Sequence, residues 1–257
     1  MDRQTPTIRR EPNEFVREAS QAYNEKYGFK RIIEGLYVPL DTRVAGRIAD
    51  AFETLPVDDS SNPAVRKAYQ QLAEEIEQQW NFAIDVMGMQ FEPWRHEGQP
   101  YATISAEMCG DVRSHRHLYF YQGGDPHLLL RRLDAATGLS LNDKFRAIHD
   151  LFGHAAEGCG FGPRGEENAW LKHSQMFSRD AQKALTTETR GQNSWFNFGR
   201  HNYDSAGNHL NRPRPDRSFA IQKVALLPEE FTDFLIVLNT AESKSPSVIG
   251  DRPSHPI

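Results

Sequence analysis

The chain has only two cysteines, Cys109 and Cys159, among its 257 residues. Neither belongs to a CxxC pair, so they supply no disulfide framework and no thiolate metal knot. No apolar run approaches the roughly 18 residues that cross a bilayer. Met1–Asp2–Arg3–Gln4–Thr5–Pro6 also lacks the apolar core of a secretory signal. A reducing, cytoplasmic setting without a membrane partner is expected. Positive charge is not in excess, with 30 Lys and Arg against 35 Asp and Glu, a net charge of -5 and a pI near 6.1. That removes the bulk attraction to a phosphate backbone, so direct nucleic-acid binding is not expected. Internal repeats and low-complexity tracts are absent as well.

What remains is a globular composition, 38% hydrophobic and 11% aromatic, with apolar mass for a sizeable core. The mean hydropathy of -0.67 predicts long exposed loops. Helical spacing of Phe15, Ala19, Ala22 and Tyr23 predicts a helix over 11–26. Asp41 caps a second helix ending near Thr54. Asn62 and Pro63 read as N-cap and first position of a third, which runs to about Val86 with a Glu- and Gln-rich outer face. From Met89 to Gln122 the pattern turns β-rich, giving short strands around Met89–Trp94 and His117–Tyr121. Helices follow from Asn142 or Asp143, over 166–177 and over 180–188. A long loop spans 199–216, and terminal helices are expected over 219–227 and 229–241. The fold class is therefore mostly α (α+β): a single helical domain over 1–242 with a small β element. The Ser- and Pro-rich tail, 243–257, is expected to be disordered.

Ten histidines are the one count that stands out. His149-Asp150-Leu151-Phe152-Gly153-His154 closes an amphipathic helix with two of them. Five residues apart, they project about 140° from one another on a regular α-helix, and Gly153 can loosen the turn so that both imidazoles reach one ion. Imidazole suits Zn, Fe, Ni and Cu, and a carboxylate supplies the anionic ligand. The carboxylates available are Glu166, Glu167 and Glu188, on the helices that follow. His173, seven residues after Glu166, shares a helix face with it.

The hexapeptide resembles the H-[DE]-x-x-G-H motif of the pterin-dependent aromatic amino-acid hydroxylases, mononuclear non-haem iron enzymes. The resemblance implies that His149 and His154 bind iron and that Asp150 is the acidic residue beside the first ligand. It makes Glu188 the counterpart of the third ligand; Glu166 and Glu167 stay as alternatives on their proximity alone. It implies Fe(II) and an oxidoreductase, a monooxygenase-like hydroxylase of a small polar or aromatic substrate; the donor types by themselves leave Mn, Zn or Co as alternative occupants. Ala155-Ala156 stand where that family has a Pro, so a pterin cosubstrate is not carried over. The longer stretch from Phe145 to Trp195 is similar to uncharacterised proteins often carried by bacteriophages, which leaves open a structural or interaction protein with a structural metal. His149-Asp150 also resembles the doublet of HD-domain phosphohydrolases. In that reading His115 or His117 is the upstream ligand, and Asp204 or Asp216 the later one.

A wall for the substrate is expected from Arg164, Arg190, Gln192, Asn193 and Trp195. Arg190 offers a bidentate fork to an anionic group, Gln192 and Asn193 can read an amide or base edge, and Trp195 can stack on a flat ring. The expected partner is a small molecule, a nucleotide or an amino acid, with Asp150 and Arg190 as the catalytic pair.

Overall fold

A computed structural model describes residues 11–101, 105–123, 126–213 and 218–235. The predicted tail and Asp216 lie outside them. The chain is mostly helical with one small sheet. Helix α1 covers Glu14–Tyr27, α2 Thr42–Thr54 and α3 Pro63–Asp85. Each starts on a side-chain oxygen that accepts orphan backbone N–H groups, from Asn13, Asp41 and Asn62 respectively. Strand β1 (Gln90–Trp94) runs parallel to β2 (His117–Tyr121), with Gln90 opposite His117 and Trp94 opposite Tyr121.

Between the strands lies α4, Ser105–His115, where a β-rich pattern was expected throughout. Its periodicity is faint because only Met108, Cys109 and Val112 are buried. Helix α5, Leu141–His149, opens on a capping box between Ser140 and Asp143. It passes without a break into a π-helical turn, Asp150–Ala155. Helix α6 is Pro163–Ser174 and α7 is Arg179–Thr186, extended by a second π-helical turn, Thr187–Gly191, and by α8, Gln192–Phe198. No helix forms over 219–227: the segment is irregular, and Val224 bridges Asp58 in a single isolated pairing. The helix expected from Glu229 is a single turn, α9, Glu229–Thr232; its expected continuation, from residue 236 on, lies outside the described residues.

The core packs α3 against α5 and α7, and α6 against the first π-helical turn. Tyr69, Leu72, Ile76, Phe152, Trp170 and Leu185 are buried in it. The polar face of α3 is not all solvated. Glu75 and Gln79 are buried, and Gln79 lies under the end of α6, where it meets His173 and the Met176 carbonyl. Among the described residues no helix is long and apolar enough to cross a membrane.

Candidate metal centre

The π-helical turn answers the geometric problem of the HxxxxH spacing. Hydrogen bonds from i to i+5 widen the turn, so residues five apart stand on one face. His149 and His154 meet edge to face, with ring centroids 5.2 Å apart. Gly153 permits the turn to lie against α6. A Cβ there would stand 3.0 Å from the Ala169 carbonyl oxygen and 3.3 Å from both Ala169 Cβ and His149 Cε1. On α6, Gly165 lies still closer to the preceding loop, since its Cβ would fall 1.8 Å from the Gly160 oxygen. Two glycines thus set the approach of the π-helical turn and α6.

Glu166, in the first turn of α6, brings Oε2 to 3.4 Å from His154 Nε2. One ligand atom from each of His149, His154 and Glu166 lies within 4.8 Å of the others, a spacing one ion can bridge. Among the described residues no other group of His, Cys, Asp and Glu meets this spacing. The donor set, two imidazoles and one carboxylate, fits a divalent first-row transition metal.

Both histidines are held from behind. His154 Nδ1 donates to the Cys159 carbonyl at 3.2 Å, which leaves Nε2 as the nitrogen with a lone pair. His149 Nδ1 lies 3.1 Å from His173 Nδ1, and His173 Nε2 lies 2.8 Å from Gln79 Oε1. Burial holds His149 well below the ordinary imidazole range and takes His173 down to about 3. Burial also opposes charge on His154, but the Glu166 carboxylate beside it prevails and raises it to about 8. Asp150 keeps some exposure, yet the protein around its carboxyl pushes it up to about 7 against the pull of His154.

Two of the three candidate carboxylates are engaged elsewhere. Glu188, expected as the third ligand, is buried in a different cluster. It accepts hydrogen bonds from Tyr69 Oη at 2.5 Å, His127 Nε2 at 3.1 Å and Gln192 Nε2 at 2.9 Å, and a further one from Gln222. His127 Nδ1 accepts from the Leu129 and Leu130 amides, so its Nε2 carries the proton given to Glu188. Glu167 is also withdrawn, since Arg190 forks onto it through Nε at 2.9 Å and Nη2 at 2.6 Å.

That fork also corrects the role expected of Arg190. Its Nη1 donates to the Phe231 carbonyl at 2.7 Å, its guanidinium lies over the Trp170 ring at 4.2 Å, and the side chain is 3% exposed. It is an interior strut and offers no fork to a substrate or to the chemistry. Trp195 faces α2, donates to Glu53 and stacks on His201. Gln192 is spent on Glu188, and Asn193 accepts from Asn197. Arg164 alone of the expected wall shares the first turn of α6 with Glu166, donating to the Val38 carbonyl and lying over Tyr37. The rings that stand against the two candidate ligand imidazoles are Phe145 and Phe161.

The ligand set of a phosphohydrolase is not assembled among the described residues. His115 and His117 both face Asp111, at 3.1 and 2.8 Å, and Asp204 is bound to Asn208. Sequence reasoning passed over Gln79, whose helix face reads as solvated, and Arg146. Arg146 donates to the Gly123 carbonyl at 2.7 Å and lies 3.9 Å from Asp143, and burial lowers its guanidinium against the pull of Asp143 and the neighbouring acids. No protein-family model, curated protein or solved structure matches this chain.

Proposed function

We propose that His149, His154 and Glu166 hold a single divalent metal, and that the chain is a mononuclear non-haem iron oxygenase that hydroxylates a small polar or aromatic substrate. The observation that carries this reading is the convergence of the three ligand atoms within 4.8 Å, with the two imidazoles engaged from behind through Nδ1. Three protein ligands leave coordination positions open, which suits a reactive site better than a closed structural one. Ferrous iron bound there would supply the activation of oxygen. The protein's part is to fix the two imidazoles, to screen the site with Phe145 and Phe161, and to keep Asp150 beside it as a group able to hold a proton. Arg164 is the nearest cation in sequence to Glu166 and the residue proposed to meet an anionic group on the substrate.

The test is anaerobic reconstitution with Fe(II), followed by electron paramagnetic resonance on adding NO. The expected result is a ferrous–nitrosyl signal that is lost in His149→Ala and His154→Ala. Stoichiometric iron binding without a nitrosyl signal would reveal a filled, structural site and overturn the oxygenase reading.

A further inference from the structure

Resting on that metal site, we infer that His173 and Gln79 form a positioning relay that selects the ligating nitrogen of His149. The chain of donors runs one way. Gln79 Nε2 donates to the Met176 carbonyl at 3.1 Å, which orients the amide and turns Oε1 toward His173. Oε1 can only accept, so His173 Nε2 carries a proton and donates it across 2.8 Å. His173 is wholly buried among Phe152, Phe177 and the His149 ring, and as a neutral imidazole it keeps its Nδ1 lone pair. That lone pair faces His149 Nδ1 at 3.1 Å. The contact holds if His149 donates its Nδ1 proton, and His149 is then left with a bare Nε2 for the metal. A histidine thus does for His149 what the Cys159 carbonyl does for His154. An outer partner of this kind fixes the ring and raises its basicity as a ligand. The relay also ties Gln79, in the C-terminal half of α3, to the metal site through His173.

The experiment uses full-length protein labelled with 15N-histidine, first metal-free and then titrated with Co(II). In the wild type, His149 is expected as the Nδ1–H tautomer before any metal is added. His173→Leu should let the Nε2–H tautomer appear and weaken Co(II) binding by roughly 10- to 100-fold. His173→Gln, which restores an acceptor, should recover most of that loss, and Gln79→Leu should give a smaller one. An Nε2–H tautomer in the wild type overturns the relay. So does a folded His173→Leu protein with unchanged tautomer and Co(II) affinity. If His173→Leu fails to fold, the wild-type tautomer and Gln79→Leu still decide. Should the wild type bind no metal, the metal reading falls, while the tautomer measurement still judges the relay.

Discussion

His149 and His154 stand edge to face at 5.2 Å although they lie five positions apart, an approach that a regular α-helix denies. The π-helical turn that allows it rests on a glycine packed against a neighbouring backbone carbonyl. Gly153→Ala should therefore loosen the site before it loosens the fold. We expect metal affinity to fall at least tenfold, the order seen when a ligand's support is removed, with a stability cost of about 1–3 kcal/mol for overpacking. Parallel metal titration and urea unfolding would check this, and an unchanged affinity would show that the turn adapts to the extra methyl.

The three carboxylates should separate by phenotype. Glu166→Gln is expected to lose metal affinity by an order of magnitude or more while the protein remains folded. Glu167→Gln should destabilise the fold with little effect on the metal, because it leaves the buried Arg190 without its counter-charge. Glu188→Gln should disturb the Tyr69–His127 cluster and spare the metal. Loss of metal in Glu188→Gln alone would reverse this assignment.

Arg190→Ala should be a stability mutant. Removing one partner of a buried, bidentate ion pair costs about 3–5 kcal/mol, and here a carbonyl and a ring also lose their contact. Denaturant unfolding should register this cost, and metal bound per folded molecule should stay constant.

The metal-free protein should lose stability as pH rises from about 6.5 to about 8. His154 is raised in the folded state from 6.5 to about 8, chiefly because Glu166 offsets the cost of its burial. A raised folded value means that the protonated pair stabilises the fold fully below the unfolded value and ceases to do so above the folded one. The same proton competes with the metal, so apparent metal affinity should climb over that window. Unfolding curves of chelator-treated protein at several pH values would show the decline, and Glu166→Gln should flatten it.

Much of the scaffold was legible in the chain. Asp41, Asn62 and Pro63 marked helix starts because capping is local chemistry, and the two strands announced themselves by β-rich runs. The helix over 105–115 escaped because it buries too few residues to impose a period. The stretch 219–227 misled because it is a non-helical segment that packs on Tyr69 of α3, the end of α2 and the second π-helical turn, a matter of neighbours and not of spacing.

The site divides along the same line. The sequence by itself determined that two imidazoles and a glycine share one turn, and that acidic residues follow on the next helices. Which carboxylate joins them was decided only by the tertiary structure. Glu166, Glu167 and Glu188 are chemically alike, and each sits on or near a helix. Their roles diverge because Arg190 reaches one, a cage of four neutral donors closes on another, and the remaining one is left beside His154. Gln79 was hidden for the same reason: a polar residue on a helix reads as solvated until the fold places a buried histidine against it. Local pattern specifies backbone and side-chain type. The partner of a buried charge is set by how separate elements pack, as where Tyr69 meets Glu188 across 119 positions and Arg190 meets Glu167 across 23, which no periodicity records.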